Sequence, residues 1–303
     1  MKLDGVRFQM QQRAFAKINL DLRILGVRRD GFHEVRTILQ TIELNDILQL
    51  SVRRGPFVVR SKTEVMPQDR DNLIWTAGLA LWRAIGRSGS PEGVAVRVIK
   101  RIPSAAGLGG ASSDVAAALM LFRQLWAPHK GVRFLRDVAA GVGSDVPFFF
   151  EGGTVLATGR GERIRRLASL ERKWLVLALP GFGVKTPHAY RWWDGLSDRE
   201  KRKNQRSLSR GWRHRLDLLS NDLQVAVVEQ HPAIAEMVER LRAAGAHAAA
   251  MSGSGSAVFG VFTSQADAIV ARRRIRKAGW RTWVTQTISR SDYVRLAAPA
   301  RID

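Results

Sequence analysis

Apolar and polar residues alternate in the first part of the chain, which is the pattern of a β-strand with one buried face. In the segment Phe15–Leu25 the apolar side of this alternation consists of Ile18, Leu20, Leu22 and Ile24. Two further strands are predicted over Val35–Leu44 and Ile47–Val52, with a turn between them at Asn45-Asp46 because both residues favour turns. The N-terminal third is therefore predicted to be rich in strands.

The period of the apolar residues changes to that of a helix in the next part of the chain. The segment Asp71–Ile85 is predicted as the first long helix, with Asn72 suited to its N-cap. A strand is predicted over Val94–Ile99, and a glycine-rich stretch, Ala105–Gly110, follows it. A second helix must come next, because the residues after the glycines form one apolar stripe. The stripe consists of Val115, Leu119, Phe122 and Trp126.

The rest of the chain mixes predicted helices and strands. A short helix is predicted over Phe134–Ala140, a loop that leads into strand-like apolar residues over Gly141–Phe150, and a strand over Thr154–Thr158. Trp174–Leu179 is predicted as a buried strand that ends at Pro180-Gly181. Helix, helix, strand, helix and strand follow at residues 220–228, 232–244, 257–262, 265–278 and 281–288. This order predicts a compact α+β second domain.

The composition gives the chain a strong positive charge. The 303 residues are 45% hydrophobic and 25% charged, as in an ordinary soluble globular protein. Lys and Arg exceed Asp and Glu by 49 − 27 = 22, and half of that excess lies in residues 160–215. Such a balance favours phosphate-bearing partners: nucleic acid, anionic lipid or nucleotides. The run 199–215 is predicted to be a solvated insertion, and Trp75, Trp82 and Trp126 are predicted to pack in the core.

Cysteine and targeting signals exclude several classes of protein. No cysteine is present, which excludes disulfides, thiol catalysis and cysteine-ligated metal sites. The first residues lack the apolar segment of a signal peptide, and no stretch approaches the roughly 18 apolar residues of a membrane helix. A cytoplasmic location is therefore predicted, with no membrane partner.

The strongest candidate for chemistry is the segment Pro103–Ser113, which leaves a predicted strand and enters a predicted helix. Glycines and serines at a helix start leave backbone N–H groups free to surround an anion, and the helix dipole favours negative charge there. Phosphate is the natural occupant, although a tight turn capped by serine has the same residues. The two best-known nucleotide fingerprints, G-x-G-x-x-G and G-x-x-x-x-G-K-[ST], are absent.

Two more segments suggest a site for phosphoryl transfer. The small residues of Met251–Ser256 could close over a polyanion together with the first loop, although alone they indicate a flexible turn. Asp145 lies in the loop Gly143–Pro147, where a carboxylate could accept the proton of an attacking hydroxyl or merely cap its own turn. No spacing rule distinguishes Lys17 from a surface lysine.

Six segments taken together resemble the 4-diphosphocytidyl-2-C-methyl-D-erythritol kinases, a family of the GHMP kinase superfamily. The segments are Ala16–Leu20, Arg29–His33, Asp71–Ile74, Pro103–Ser113, Gly143–Pro147 and Ser252–Gly255. They stand in the order expected for the family, and those around Lys17 and His33 are specific to it. The resemblance implies a two-domain α+β GHMP kinase fold with the active site in the interdomain cleft. The N-terminal domain, 1–165, would be ribosomal protein S5 domain 2-like, and the C-terminal domain, 166–303, ferredoxin-like.

The same resemblance implies a function. It is the ATP-dependent phosphorylation of the 2-hydroxyl of 4-diphosphocytidyl-2-C-methyl-D-erythritol, in the non-mevalonate route to isopentenyl diphosphate. The catalytic residues would be Asp145, as the base, and Lys17, its charged neighbour. The cytidine-bearing substrate would contact Asn19, Phe32, His33 and Tyr190, with Phe32 and Tyr190 stacking on the two faces of cytosine.

On the nucleotide side the resemblance implies ATP accompanied by Mg²⁺. Asn72 and Lys100 would be outer contacts of ATP. The phosphate loop would consist of Pro103, Ser104, Ala105, Ala106, Gly107, Leu108, Gly109, Gly110, Ala111, Ser112 and Ser113. The resemblance assigns no protein ligand to Mg²⁺ and does not decide which serine hydroxyl meets it. The sequence also gives no oligomeric state.

Two alternative functions remain open at the level of sequence. One is another GHMP small-molecule kinase, of the homoserine or mevalonate type, although the pair Phe32 and Tyr190 favours the cytidine substrate. The other is a basic nucleic-acid-binding protein, suggested by the net charge of +22.

Overall fold

The computed structural model describes residues 8–61, 67, 69–202, 219–276 and 279–302. Its helices are α1 (Leu73–Ala84), α2 (Gly110–Trp126), α3 (Val132–Ala139), α4 (Thr186–Asp194), α5 (Asp198–Arg202), α6 (Asp222–Gln230), α7 (Ala233–Ala243), α8 (Gln265–Arg274) and α9 (Arg290–Leu296). Its strands are β1 (Phe8–Val27), β2 (His33–Pro56), β3 (Val58–Ser61), β4 (Glu92–Ile99), β5 (Thr154–Gly159), β6 (Arg163–Arg166), β7 (Trp174–Leu179), β8 (Ser220–Asn221), β9 (Ala248–Met251), β10 (Val258–Phe262), β11 (Arg281–Gln286) and β12 (Ala300–Arg301).

A long antiparallel hairpin of β1 and β2 forms the centre of the first sheet, in which β12, β1, β2, β4 and β3 are successive neighbours. The predicted strand is confirmed and its apolar side, Ile18, Leu20, Leu22 and Ile24, is buried, but the prediction of a single buried face is wrong. The polar side of the strand is also buried, at Lys17, Asn19, Asp21 and Arg23. A strand covered on both faces by protein needs partners for its polar groups, and these partners build the site described below.

The predicted turn at Asn45-Asp46 is wrong, because β2 runs without a break through both residues. The irregularity is a bulge instead: Phe15 pairs with Asn45, and Lys17 already pairs with Thr41. Asp46 does not close a turn of its own. Its buried carboxylate accepts hydrogen bonds from the backbone N–H groups of Arg101, at 2.5 Å, and Ile102, at 2.8 Å.

The strand-like continuation predicted for the apolar end of Gly141–Phe150 is also wrong, because Val146–Phe150 is a 3₁₀ helix. Pro147 suits its first turn, where the fixed φ of proline is helical and no N–H is needed. Phe148 and Phe149 are buried in the core that also contains much of α2. The run is apolar because it packs against that core, and apolar residues alone do not distinguish a short helix from a strand.

The second sheet has the strand order β11, β7, β10, β9 and is antiparallel throughout. Along the chain its elements follow as strand, helices, strand, strand, helix, strand, which is the ferredoxin-like arrangement. The predicted α+β character of this half is confirmed. Two details differ: α8 ends at Arg274, and the helix predicted from residue 220 begins at Asp222 after the short strand β8. Helix α4 and strand β9 were not predicted.

The two halves of the chain are joined by shared strands and a shared core. From the second half, β8 pairs in parallel with β1 at Asp21 and Leu22, and β12 pairs with β1 near the start of that strand. Ile18 and Leu20 of β1 belong to the same buried cluster as Leu175 and Phe259 of the second sheet. The domain ranges 1–165 and 166–303 stay a prediction.

The three tryptophans predicted to lie in the core do so. Trp126 is buried, and Trp75 and Trp82 pack against the same core, as predicted. Most of the predicted insertion 199–215 lies outside the described residues. Within the described part of the chain, no helix has both the length and the apolar character needed to cross a membrane.

Candidate active site

A cavity of about 420 Å³ lies where β1, the glycine-rich stretch before α2 and helix α4 meet. Its walls include side chains from both halves of the chain. Of the predicted site residues, those that line it are Lys17, Asn19, Asn72, Lys100, Pro103, Ser104, Ala105, Ala106, Gly107, Leu108, Gly109, Gly110, Ala111, Ser112, Asp145 and Tyr190. Phe32, His33 and Ser113 are not among the lining residues.

The glycine-rich stretch presents backbone rather than side chains to this cavity. Gly109, with φ 70°, is the N-cap of α2. Because glycine has no side chain, no side-chain hydrogen bond caps the start of the helix. The first N–H groups of the helix therefore have no side-chain cap, and a helix start of this kind attracts anions. The arrangement can bind a phosphate group.

A second glycine-rich loop packs directly on the first. The Ser252 hydroxyl donates to the carbonyl of Gly107 at 2.9 Å, and the Ala257 N–H donates to the carbonyl of Ala106 at 3.1 Å. Gly107 has φ 73°, and a Cβ there would lie 2.0 Å from the Ser252 carbonyl oxygen. The structure thus brings together the two loops that the sequence singled out, and their contact leaves no room for a side chain at Gly107.

Asn221 holds the second loop from behind. Its side-chain amide donates to the carbonyls of Met251, at 2.8 Å, and Gly253, at 2.7 Å. Its side-chain oxygen accepts the N–H of Leu223 and caps α6. One buried asparagine therefore links the start of a helix to the wall of the cavity. Because these partners are distant in sequence, no local pattern could identify this role.

Lys17 and Asp145 lie next to each other at the cavity. The Lys17 Nζ is 3.6 Å from Asp145 Oδ2 and donates to Asn19 Oδ1 at 2.6 Å. Burial lowers the pKa of Lys17, and the neighbouring Asp145 carboxylate opposes that shift. The Asp145 side chain is 38% exposed, so it is accessible from the cavity. A partly solvated carboxylate beside a buried ammonium can accept a proton while the ammonium balances negative charge.

Asn19 is held in a chain of hydrogen bonds that orients it toward Lys17. Its amide nitrogen donates to the Thr37 hydroxyl at 2.8 Å, and that hydroxyl donates to the carbonyl of Asp21 at 2.6 Å. With the amide nitrogen engaged in this way, the Asn19 oxygen faces the Lys17 ammonium.

Lys100 enters the cavity wall from the end of β4 and is paired with two buried carboxylates. Its Nζ lies 2.5 Å from Asp46 Oδ2 and 2.7 Å from Asp114 Oδ2. Burial raises the pKa of Asp114 to about 8, because Lys100 only partly compensates for its desolvation. Sequence reasoning missed both carboxylates, since their contacts with Lys100 are formed between separate elements.

Asn72 and the two serines have distinct surroundings. Asn72 caps α1 by accepting the N–H of Ile74 at 2.8 Å, and its amide donates to the carbonyl of Pro67. The buried Ser113 hydroxyl donates to the carbonyl of Phe15 at 2.7 Å. Ser112, by contrast, lines the cavity.

The rings of Tyr190 and His33, both predicted to contact the substrate, stack on each other, and the ring of Phe32 packs against a cation. Tyr190 lines the cavity and stacks on His33, with ring centroids 4.6 Å apart and an interplanar angle of 24°. Phe32 is 53% exposed and lies under the guanidinium of Arg160 at 4.9 Å. Tyr190 is thus stacked on His33, while Phe32 is paired with a cation that also lines the cavity. Arg160 was not predicted, because nothing in its spacing distinguishes it from the other arginines.

Two family models match parts of this chain. Residues 72–153 match the model of the GHMP kinases N terminal domain, and residues 204–280 match that of GHMP kinases C terminal. A 4-diphosphocytidyl-2-C-methyl-D-erythritol kinase of Pelotomaculum thermopropionicum is 38% identical over 91% of this chain and 97% of its own length. One of Solibacter usitatus is 42% identical over 82% of this chain and 80% of its own. The chain belongs to the 4-diphosphocytidyl-2-C-methyl-D-erythritol kinase family.

Solved structures of several small-molecule kinases are similar to this chain. A 4-(cytidine 5'-diphospho)-2C-methyl-D-erythritol kinase superposes with a TM-score of 0.74 and 31% identity, covering 91% of this chain and 98% of its own. A homoserine kinase from Cytophaga hutchinsonii, covering 100% of both chains, reaches 0.69 at 17% identity. A mevalonate kinase of L. major reaches 0.70 at 16% identity, covering 92% of this chain and 96% of its own. The last two likenesses show the fold alone. The two-domain GHMP kinase fold expected from the sequence is confirmed.

Proposed function

We propose that this chain transfers the γ-phosphoryl group of ATP to the 2-hydroxyl of 4-diphosphocytidyl-2-C-methyl-D-erythritol. The observation that carries the proposal is the contact between Lys17 and Asp145, 3.6 Å apart at a cavity whose wall is also a glycine-rich helix start. The family relatives, which bear the name of this kinase, support the choice of substrate.

In the proposed reaction Asp145 acts as the general base. Its carboxylate accepts the proton of the 2-hydroxyl as the new O–P bond forms and the bond between the β- and γ-phosphates of ATP breaks, which releases ADP. Lys17 neutralises negative charge on the transferring group. Asn19 holds the Lys17 ammonium in place through its 2.6 Å hydrogen bond.

The ATP phosphates would bind to the backbone at the start of α2, with Asn72 and Lys100 as outer contacts. Support comes from the absence of a side-chain cap on this helix and from the tight contact between the two glycine loops. Lys100 would contribute positive charge, although two carboxylates share its ammonium.

We also propose Mg²⁺ as the companion of ATP. Among the described residues there is no cluster of three or more His, Asp or Glu that could hold a metal ion. This fits a cation held mainly by phosphate oxygens and water, which is how Mg²⁺ commonly binds in kinases. Ser112 is the hydroxyl that fits a contact with it, since it lines the cavity while Ser113 is bonded to Phe15. When bound, Mg²⁺ would neutralise phosphate charge.

The cytidine part of the substrate would bind beside Tyr190, with His33, Phe32 and Asn19 nearby. The stacked rings of Tyr190 and His33 and the pairing of Phe32 with Arg160 support this placement. A base that stacks on one such ring gains roughly 1–3 kcal/mol. Movement of Phe32 over the base would complete the sandwich that the family resemblance implies.

A coupled assay of ADP release tests the proposal. The full chain is given ATP, Mg²⁺ and, in separate reactions, 4-diphosphocytidyl-2-C-methyl-D-erythritol, homoserine or mevalonate. Turnover is expected with the first substrate only. Turnover with homoserine or mevalonate in its place would redirect the proposal to those kinases, and folded protein without turnover on any substrate would overturn it.

A further inference from the structure

A hydrogen bond between His33 and Asp194 joins two elements beside the cavity. His33 begins β2, Asp194 ends α4, and His33 Nε2 lies 2.7 Å from Asp194 Oδ1. None of the sequence motifs includes Asp194. The bond therefore links the motif that contains His33 to a residue outside all of the motifs.

The His33 ring is fixed by more than this bond. Tyr190 stacks on it at 4.6 Å, and Trp193 meets it edge to face at 5.7 Å with an interplanar angle of 87°. Only 11% of the His33 side chain is exposed. A ring held in this way has one orientation, so the carboxylate at its Nε2 also determines what its other nitrogen offers.

The backbone at the end of α4, next to the Asp194 side chain, is held by α5. Lys201 Nζ donates to the carbonyl oxygen of Asp194 at 3.2 Å and lies 4.7 Å from the centre of the Trp193 ring. Helix α5, which contains Lys201, thus fixes the end of α4. The Asp194 side chain itself is 46% exposed, and its carboxylate reaches His33 from this fixed helix end.

A carboxylate has no proton to donate, so it accepts the N–H at His33 Nε2. In the neutral imidazole the other nitrogen, Nδ1, is then left with a lone pair and acts as an acceptor. Cytosine carries an exocyclic amine that can donate to such an acceptor. Uracil carries a carbonyl oxygen at the same position, which cannot donate and would face another lone pair.

We propose that Asp194 is a positioning residue that gives the site its preference for cytosine over uracil by fixing the orientation and tautomer of His33. The inference rests on the proposed function, because it takes the cavity beside Tyr190 as the site of a cytidine nucleotide. It adds a residue that acts through His33.

The test measures binding of CDP and UDP to the full chain by calorimetry. In D194N the shape is kept, but an amide carries both a donor and an acceptor and no longer selects one tautomer. The CDP-to-UDP affinity ratio is expected to fall about tenfold, the typical worth of one hydrogen bond to a discriminating group. The affinity for ATP is expected to stay unchanged.

A matched control is D198N, which changes an exposed aspartate in the first turn of α5. Its CDP-to-UDP ratio is expected to equal that of the wild type. Equal loss of CDP and UDP binding in D194N would assign Asp194 a merely structural role and overturn the inference, and so would an unchanged ratio. If D194N does not fold, D194A, compared with D198A, is measured in the same way with the same expectation.

Measurements on the wild type distinguish a failure of this inference from a failure of the proposed function. Wild-type turnover of 4-diphosphocytidyl-2-C-methyl-D-erythritol without any preference for CDP over UDP would refute the role of Asp194 and leave the kinase assignment standing. Wild-type protein that neither binds CDP nor turns over that substrate would refute the kinase assignment itself.

Discussion

The side-chain nitrogen of Lys17 lies 3.6 Å from a carboxylate oxygen of Asp145, and the two groups differ sharply in exposure. Lys17 is buried in β1, whereas more than a third of the Asp145 side chain is exposed. This asymmetry suits a reaction in which the lysine keeps a fixed place while the aspartate meets a substrate hydroxyl.

Replacement of Asp145 by asparagine removes the proposed base with little change of shape. We expect D145N to lower kcat by about 100-fold to 10,000-fold, the usual contribution of a general base. The KM for ATP should change little. D137N, an exposed substitution in α3, is the control and should retain wild-type kcat. A D145N enzyme within a factor of three of the wild type would contradict the assignment of the base.

The buried ammonium of Lys17 should lower stability while it serves catalysis. Burial lowers its pKa, so between that lowered pKa and 10.5 the unfolded chain binds more protons than the folded one. Stability therefore rises as pH rises through this window, and the cost of the charge is greatest below it. At pH 7 we expect K17M to be inactive but more stable than the wild type by about 1 kcal/mol, because methionine carries no charge to desolvate and Asp145 stays partly exposed.

Urea unfolding at a series of pH values measures this effect. The stability difference between K17M and the wild type should shrink as pH rises above the lowered pKa of Lys17. K185M, which changes an exposed lysine, should show no such pH-dependent difference. A K17M protein less stable than the wild type at pH 7 would mean that the ion pair with Asp145 outweighs the cost of burial.

Gly107 cannot bear a side chain without separating the two glycine loops. A Cβ would lie 2.0 Å from the Ser252 carbonyl oxygen, and φ is 73°. We expect G107A to cost about 1–3 kcal/mol of stability and to raise the KM for ATP. G141A is the control, because no atom lies within 4 Å of the position of its Cβ. Equal KM values for ATP in the two variants would show that the contact between the loops does not affect nucleotide binding.

Asp114 should make stability decrease with pH over the range in which it titrates. Its pKa is raised from 3.8 to about 8 by burial, so between these values the folded chain binds more protons than the unfolded one. Its contribution to stability is therefore present at low pH and is lost as pH rises toward 8. D114N should remove this part of the pH dependence in denaturant unfolding, whereas D137N should not. An unchanged profile in D114N would show that Asp114 does not titrate there.

Local pattern could predict the elements whose burial repeats with a fixed period. The stripe of Val115, Leu119, Phe122 and Trp126 is buried on α2 as expected, and β1 forms where the alternation predicted a strand, although both of its faces are buried. The two glycine loops could be identified as candidates because backbone N–H groups can approach a ligand closely only where the side chains are small. Their mutual contact could not be predicted, since it depends on chain segments far apart in sequence.

The errors have the same physical origin. Asn45 and Asp46 are residues typical of a turn. The Asp46 carboxylate, however, accepts hydrogen bonds from the backbone after β4, and β2 stays unbroken through both residues. The roles of Asp114, Asn221 and Asp194 likewise depend on partners in other elements. Lys17 looks like a surface charge by spacing alone, and only the resemblance to a known family pointed to it.

The most direct test of the proposed kinase activity is the position of the phosphate in the product. The full chain is incubated with ATP, Mg²⁺ and 4-diphosphocytidyl-2-C-methyl-D-erythritol, and the product is analysed by ³¹P and ¹³C NMR alongside the ADP released. The proposal predicts one new phosphate on the 2-hydroxyl for each ADP formed. A phosphate on another hydroxyl, or ADP formed without a phosphorylated product, would contradict it.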